Sequence, residues 1–473
     1  MTQDLKKTLP ILFAGFISFL YLLGVFLRHI RLESFGYDLG IFGQEIYLLS
    51  FFKLPFSTVK IPNMVIWGDH WSPSLIFFSP IIWILKRPDM ALLISQVIFF
   101  FLSQLVIFKI IHEKTKDYFF AFMLLFTYSF FYGISNAIFF DFHPIFIAAM
   151  FVPLLYYLFD KNHTLQFFLL TFFLANLQEN IALYLVAFGI ALLFTSKKKW
   201  GIVLIVMYTV WFFLIINMFI PFFSPTHQYL YAQNLDGPLD ILLKLFIPFE
   251  KIKVFVVSFW NYSLLPLFSP FSVLLSLVNF LENALGEGTL SGRWGFDRHY
   301  KVMLGPILAL GAVEGYLFFR SKFKKDQFRR VKVAVIINML LAIILFQYFL
   351  HLQLNLLTKK AYWQIDDNKK VVHKLINQLR NTDQSIATQN NIISHLINRE
   401  KIYLISYQQQ GSCIFDPKNS KVILVDLTPN QPAVNFLGCS PKEIKKGLQE
   451  LIATQKYLIS FKKDEIFLLE KTK

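Results

Sequence analysis

The stretch Gly36-Tyr37-Asp38-Leu39-Gly40-Ile41-Phe42 follows directly after the first long apolar run of the chain, residues 9–27. A carboxylate this close to the end of a membrane-spanning run, with glycines beside it, is positioned to meet a lipid-borne substrate at the bilayer surface. We therefore take Asp38 as the centre of a candidate site. We expect two further pairs, Asp69 with His70 and Asp141 with His143, to converge with it on one face of the membrane.

The composition indicates a polytopic membrane protein. Of 473 residues, 55% are hydrophobic and only 16% are charged, and 56 are phenylalanine, which is more apolar surface than a soluble core needs. The run 9–27 lacks a small-residue cleavage site and is interpreted as a retained helix. The clearest further spans are residues 91–111, 118–140, 202–220 and 331–350.

The net charge of +16 reflects topology and contact with anionic membrane lipids, because the lysines and arginines cluster at helix ends. No nucleic-acid motif is present, so a nucleic-acid partner is not expected. Lys6 and Lys7 place the N-terminus in the cytoplasm and send residues 28–90 outward, with interfacial helices at 40–52 and 72–85.

The remaining charges predict an alternating path of about eleven spans in the cytoplasmic, or inner, membrane of a prokaryote. Residues 165–195 are divided at Gln178-Glu179-Asn180, because a single tilted helix would put flanking lysines on opposite sides and leave a carboxylate in lipid. The basic segment 320–330 is the strongest cytoplasmic marker. The last span, 331–350, then exits to the outside.

The predicted fold is thus mainly α: a transmembrane helical bundle over residues 1–356, followed by a small extracytoplasmic α/β domain over residues 357–473. Helices are expected at 369–379, 392–397 and 441–453, and strands at 385–388, 402–405, 421–427, 457–461 and 466–469. Cys413 and Cys439 lie in this domain; they either form a disulfide or remain as inert thiols.

Several of these segments resemble one family along nearly the whole chain. They are Tyr37–Phe42, Asp69-His70-Trp71-Ser72-Pro73, Phe142-His143-Pro144, residues 387–396, Arg399 and Ile402-Tyr403. They resemble the signature points of a prokaryotic membrane-protein family, the domain of unknown function twenty seventy-nine. That family implies no assigned reaction.

The family is in turn similar to large membrane glycosyltransferases of the C fold type, such as oligosaccharyltransferases, protein mannosyltransferases and lipid A aminoarabinose transferases. In those enzymes an essential acid follows the first helix, interfacial helices come next, and a polyprenyl-phosphate-linked sugar is the donor, often with a divalent metal such as Mg or Mn. Asp38 matches the essential acid, but it lacks the adjacent second acid that many of those enzymes carry.

The resemblance implies a catalytic role for Asp38, and the position of Glu179 in the sequence favours one for Glu179. A polyprenyl phosphate is already a good leaving group, so the reaction needs a base for the acceptor, and desolvation can raise the pKa of a carboxylate such as Asp38 toward that task. A solvated loop residue or helix cap is the structural alternative for Asp38. Glu179 lies at membrane depth, where an ionisable group usually faces a cavity.

We expect Asp69 and Asp141 to be metal ligands, and His70 and His143 to bind substrate. The structural alternative for Asp69 and Asp141 is a capping role, because both precede helix starts, and the alternative for His143 is an interfacial structural histidine.

Arg293 lies in the glycine-rich segment 286–295, Arg298 and His299 follow it, and all three are expected to bind the phosphate of the substrate. Headgroup contact is the alternative, and a nucleotide-binding loop is excluded because no strand precedes the glycines.

Taken together, the sequence favours an enzyme that transfers a sugar from a lipid-linked donor to an acceptor at the outer face of the membrane. The competing hypothesis is a lipid or polyprenol transporter, or a non-catalytic membrane scaffold. The central helices carry few ionisable residues, whereas secondary carriers usually place some near the middle of the bilayer. The sugar, the acceptor and the oligomeric state do not follow from the sequence.

Overall fold

The computed structural model describes residues 3–231, 237–286 and 292–472. The first part of the chain is mainly helical. Its helices are α1 (Gln3–Ile30), α2 (Ile41–Leu49), α3 (Ser79–Leu85), α4 (Pro88–Thr115), α5 (Tyr118–Ser129), α6 (Tyr132–Phe140), α7 (Pro144–Asp160), α8 (Thr164–Ala175), α9 (Ile181–Leu193), α10 (Lys198–Leu214), α11 (Ile220–Phe223), α12 (Pro238–Phe246), α13 (Glu250–Trp260), α14 (Pro270–Ala284), α15 (Leu304–Lys322) and α16 (Lys325–Phe349).

In the described residues, four helical stretches are long and apolar enough to cross a membrane: Asp4–Ile30, Pro88–Thr115, Lys198–Phe223 and Lys325–Phe349. The pair α5 and α6, bent by 40°, makes a fifth if it is counted as one span. The expected eleven spans are therefore not confirmed. Helices α7, α8 and α9 have 17, 12 and 13 residues, fewer than the roughly 20 that a bilayer core requires.

The basic turns of the bundle meet at one end. Lys114 bonds to Asp160 at 2.7 Å, and Lys332 bonds to Asp117 at 2.7 Å. Other contacts of this group are Lys161 with Glu113, Lys197 with the Phe159 carbonyl, and Arg320 with the Thr115 carbonyl. The turns that the sequence assigns to the cytoplasmic side are thus neighbours in space.

The C-terminal part is an α/β unit. Its helices are α17 (Asp367–Arg380), α18 (Asn390–Ile393) and α19 (Pro441–Ala453). Two short strands of the first loop, β1 (Phe56–Ser57) and β2 (Met64–Val65), precede it, and its own strands are β3 (Ile386–Thr388), β4 (Ile402–Leu404), β5 (Ser406–Gln409), β6 (Ser412–Phe415), β7 (Val422–Asp426), β8 (Tyr457–Lys463) and β9 (Ile466–Lys471). The main sheet has the order β4-β3-β7-β9-β8.

Within this sheet β3 pairs in parallel with β4 and β7, whereas β9 is antiparallel to β7 and β8. The expected helices and strands are present, with bounds that differ by a few residues. The hairpin β5–β6 was not expected. It carries Cys413, which forms a disulfide with Cys439 across a Cα–Cα distance of 5.2 Å.

The loop that follows α1, residues 31–87, and the α/β unit share a hydrophobic core. Leu32, Ile41 and Val59 of the loop pack with Ile393 and Ile397, all of them buried. Core burial of this kind contributes roughly 1.5–3 kcal/mol for each large aliphatic side chain. The α/β unit is therefore packed against the helical part of the chain.

Hydrogen bonds reinforce this shared core. Asn390 Oδ1 accepts from the Tyr37 backbone amide at 3.0 Å, and Ser394 Oγ donates to the Ser34 carbonyl at 3.0 Å. Thr58 Oγ1 donates to the Ile402 carbonyl and accepts from its amide. The segment 387–396, whose sequence pattern suggested a family, thus contacts the Asp38 stretch, and Ile402 contacts Thr58 of the same loop.

Gly36 provides a test of this contact, because its environment leaves no room for a side chain. A Cβ atom there would lie 2.6 Å from Ile393 Cγ2 and 2.9 Å from Ile393 Cβ. We expect Gly36→Ala to destabilise the protein by about 1–3 kcal/mol, as overpacked cores do. Thermal unfolding in detergent measures the effect. Gly15→Ala is the control, since its Cβ would meet Phe101 at an ordinary 3.9 Å; equal melting temperatures for the two variants would contradict the prediction.

Candidate functional site

Asp38 lies in one turn of π-helix, Gly36–Gly40, between α1 and α2. Its Oδ1 atom lies 3.2 Å from Nε2 of His143, and its side chain keeps 28% of its exposure whereas that of His143 keeps 9%. The loop that holds His143 is the break between α6 and α7, and Pro144 starts the next helix. Two residues that are distant in the sequence are thus in contact, with Asp38 on the accessible side.

His143 stacks on His299, with ring centroids 3.5 Å apart. His299 precedes α15 and is buried. Burial, helped by the neighbouring cations and by His143, holds the pKa of His299 well below its ordinary value, so that this ring is neutral at pH 7. We refer to Asp38, His143 and His299 as the Asp38 cluster.

Burial alone would raise the pKa of the Asp38 carboxyl. The hydrogen bond and charge of His143, together with Arg298 and Arg28, outweigh burial and hold this pKa below its ordinary value. The expectation of a raised pKa is therefore not met at Asp38. The carboxyl is ionised at neutral pH.

Asp141 is fully buried and belongs to the same loop as His143. Both of its oxygens accept from Arg28, at 2.7 and 3.3 Å, and Oδ2 also accepts from the Phe35 amide at 3.1 Å. Burial nevertheless raises the pKa of this carboxyl. This bidentate pair joins the end of α1 to the α6–α7 break, which fixes the segment that leads into Asp38.

Glu179 organises a second group, which we call the Glu179 cluster. It lies between α8 and α9, with one oxygen 2.9 Å from Nδ1 of His70 and the other accepting from the Trp71 amide at 3.1 Å. The Tyr229 hydroxyl donates to the same carboxylate at 3.2 Å. Glutamate at this helix break is thus held by donors from two loops.

Asp69 belongs to the Glu179 cluster as well. It accepts from Lys60 Nζ at 2.7 Å and from the Tyr231 hydroxyl at 2.9 Å, and Tyr231 stacks on His70 at 4.7 Å. Burial would raise the pKa of Asp69, but His70 and Lys60 hold it below its ordinary value. Asp69 and Asp141, the two tentative metal ligands, each have a cationic partner and do not contact one another.

Arg293 connects the two clusters. Its guanidinium lies 5.2 Å from the ring centre of Tyr231 and 5.5 Å from that of Tyr300, and Tyr300 contacts His299 at 4.2 Å. The Nε atom of Arg293 is buried and has no hydrogen-bond partner among the residues that the structure describes. Arg298 is exposed and lies over Phe140. Residues 287–291 of the glycine-rich segment lie outside the described residues, as do residues 232–236.

Sequence reasoning missed several members of this region: Arg28, Glu45, Lys60, Tyr229, Tyr231 and Lys301. Lys301 is buried and donates to the Arg293 carbonyl at 2.8 Å, and burial lowers its pKa to about 7. An available signal was charge placement, since Glu45 stands alone in an apolar helix and Lys301 follows His299-Tyr300 directly.

Glu45 contrasts with Asp38 because no cation contacts it. Its Oε1 accepts from Ser72 Oγ at 2.6 Å and from Trp67 Nε1 at 3.2 Å, while Oε2 is buried without a partner. Burial is the main cause that raises the pKa of Glu45 to about 8. The side chain is therefore protonated at neutral pH.

This assignment predicts a pH-dependent difference between the wild type and Glu45→Gln. The pKa of Glu45 is higher in the fold than in the unfolded chain, so the stability that the protonated carboxyl contributes is lost as pH rises from about 4.5 to about 8. Glutamine keeps the shape and does not titrate. We expect the free energy of unfolding of the variant, relative to that of the wild type, to increase by roughly 1 kcal/mol per pH unit in this window.

Thermal unfolding at pH 5, 6.5 and 8 measures this difference, with the exposed Glu450→Gln as control. A difference between Glu45→Gln and the wild type that is constant across these values would contradict the protonated assignment.

Comparison with known proteins places the whole site within a single family. A family model described as a predicted membrane protein (DUF2079) matches residues 28–468, which include both clusters and the α/β unit. A search of curated proteins gives no match. The chain belongs to the DUF2079 family of predicted membrane proteins.

Proposed function

We propose that this protein is an integral-membrane glycosyltransferase of the C fold type, which transfers a sugar from a polyprenyl-phosphate donor to an acceptor at the outer face of the membrane. The observation that carries the proposal is the contact between Asp38 and His143 at the mouth of the bundle, with cations on the neighbouring loops. An acid after the first helix, followed by interfacial helices, is the arrangement expected of such enzymes.

The cations suit a lipid-linked phosphate. Arg293 and Arg298 lie on the loop before α15, next to His299, and Arg298 is exposed. A guanidinium binds phosphate with two parallel hydrogen bonds, and the free Nε of Arg293 is a donor of the required kind. In this proposal the two arginines hold the phosphate, and His70 and His299 contact the bound donor.

Asp38 acts as the base toward the acceptor. Its carboxylate is ionised and accessible, and His143 fixes its orientation. The lowered pKa makes it a weak base, which is sufficient when the leaving group departs as a phosphate and the acceptor proton moves late. Glu179 orients His70 and is the second carboxylate of the reaction centre.

A divalent ion such as Mg²⁺ or Mn²⁺ would fit beside Asp38, where the open carboxylate oxygen is available, better than beside Asp69 or Asp141. The latter two carboxylates are already paired with Lys60 and Arg28. When bound, such an ion supplies charge neutralisation of the phosphate.

The acceptor has a suitable neighbouring cavity. A space of about 440 Å³ lies between the first outer loop and the α/β unit, lined by Arg31, Phe35, Asp426, Asn430 and Gln431 among others. Asp426 ends strand β7, at the carboxyl edge of the parallel strands, where α/β folds bind ligands. Carboxylate, amide and aromatic groups together suit a hydroxyl-rich molecule such as a glycan.

The proposal also commits to topology. The short helices α7, α8 and α9 cross the bilayer as short or interrupted spans, so that about eleven segments traverse it. The α/β unit is then extracytoplasmic. The cluster of basic turns at the opposite end of the bundle supports this orientation, and so does the disulfide between Cys413 and Cys439, which an oxidising compartment favours.

Asp38→Asn tests the base. The protein in nanodiscs is incubated with a panel of polyprenyl-phosphate sugars and a panel of glycan acceptors, and the release of free polyprenyl phosphate and the gain of one sugar by an acceptor are followed by mass spectrometry. We expect the variant to lose at least about 100-fold in rate, the usual contribution of a general base. Asp367→Asn, at an exposed acid of α17, is the control and should retain the wild-type rate. An undiminished rate in Asp38→Asn would refute the assignment.

His143→Gln separates positioning from folding. Because His143 lowers the pKa of Asp38, its removal moves the acid limb of the pH–rate profile toward higher pH, as protonation of Asp38 then occurs nearer neutrality. The profile is measured from pH 4 to 8 in the same assay. An unchanged acid limb with a reduced rate would assign His143 a structural role only.

Movement of labelled polyprenol between leaflets without release of phosphate would instead favour the transporter.

A further inference from the structure

A buried group of two histidines and one aspartate lies where the bundle meets the α/β unit, and none of its members belongs to the Asp38 cluster or the Glu179 cluster. His29 ends α1, Asp89 begins α4, and His395 follows α18. One nitrogen or oxygen from each lies within 4.8 Å of the others, and the exposure of the three residues is 2–3%. An ion bound by these three residues would not depend on the proposed glycosyl transfer, because none of the three has a role in it.

The hydrogen bonding of these side chains is incomplete. His29 Nε2 lies 3.0 Å from Asp89 Oδ2, but His29 Nδ1 and His395 Nε2 are buried without a partner. The rings of His29 and His395 are stacked with centroids 3.8 Å apart. A buried imidazole nitrogen with no partner costs about 1–3 kcal/mol, which a bound ligand would recover.

We propose that His29, Asp89 and His395 bind one divalent transition-metal ion of the zinc class. Two imidazole nitrogens and one carboxylate oxygen form a donor set typical of Zn²⁺ sites, whereas Mg²⁺ and Ca²⁺ prefer sets made only of oxygen. On binding, His29 Nε2 and Asp89 would exchange their hydrogen bond for bonds to the ion, and His395 would contribute its unpartnered Nε2 after a tilt of the stacked rings.

Arg87 is the feature that restricts the site. It bonds to both oxygens of Asp89, through Nε at 3.3 Å to Oδ1 and through its terminal nitrogen to Oδ2. With the ion present, Arg87 keeps Oδ1 and releases Oδ2, and so becomes an outer partner that orients the metal-bound carboxylate. His373 is not a ligand: its Nε2 contacts the Ile30 carbonyl, and its ring stands edge-on to that of His395.

The ion joins three parts of the fold. Its ligands come from the end of the first span, from the start of α4, and from the α/β unit more than three hundred residues away in the chain. A metal bond between these elements resists the separation of the α/β unit from the bundle, because separation would require loss of a ligand. The proposed role of the ion is therefore a structural link.

Metal analysis tests the proposal on the full-length protein in detergent. After dialysis first against a chelator and then against ZnCl₂ or MgCl₂, we expect about one Zn²⁺ per chain and no retained Mg²⁺. His395→Ala and the nearly isosteric Asp89→Asn should weaken zinc binding by at least about 100-fold, more than loss of an outer partner does. His373→Gln is the matched control and should keep the wild-type stoichiometry.

Limited proteolysis provides a second measurement, which reports on the attachment of the α/β unit to the bundle. Lys359 and Lys360 are exposed in the segment between α16 and α17. Chelation should speed trypsin cleavage there in the wild type and leave the already faster cleavage of Asp89→Asn unchanged. A single size-exclusion peak confirms that each variant is folded. A wild-type protein that takes up no zinc, or variants that retain it at wild-type affinity, would overturn the proposal.

Discussion

The contact between the π-helical turn at Asp38 and the segment around Ile393 is the constraint on which the site depends. Gly36 and Gly40 bring the backbone against Ile393, and Asn390 bonds to the Tyr37 amide. A side chain on Gly36 would push this turn outward. Since Asp38 occupies the middle of the turn, its distance to His143 is set by the α/β unit as much as by the membrane helices.

Broken helices bring the remaining polar groups to the same end of the molecule. His143 lies between α6 and α7, Glu179 between α8 and α9, and His299 just before α15. A break frees backbone groups and allows a polar side chain to leave the apolar helix surface, which is why charged groups can be present here without lying in lipid. The apolar helices thus fix where each break lies, and the breaks hold the polar side chains of the candidate site.

Much of this arrangement could be predicted from the sequence. Glu179 had to interrupt its helix because a buried carboxylate in lipid is costly, and α8 and α9 do separate there. The strands of the α/β unit were predictable because they are short apolar runs between turn residues. By contrast, β5 and β6 have four residues each, β5 is polar and β6 is only partly buried, so that no alternating pattern distinguished them from a loop.

The sequence could not predict which residues distant in the chain come into contact, and these contacts determine the charge of each buried carboxyl group. Asp38 and Glu45 are separated by two turns of chain and are both desolvated, yet their pKa values shift in opposite directions. The difference comes from His143, which reaches Asp38 from a loop about one hundred residues later and has no counterpart at Glu45. Local sequence determines which carboxyls are buried; tertiary contacts decide which of them remain charged. A carboxylate that stays ionised, such as Asp38, can accept a proton, whereas Glu45 is already protonated at neutral pH and accepts hydrogen bonds from Ser72 and Trp67.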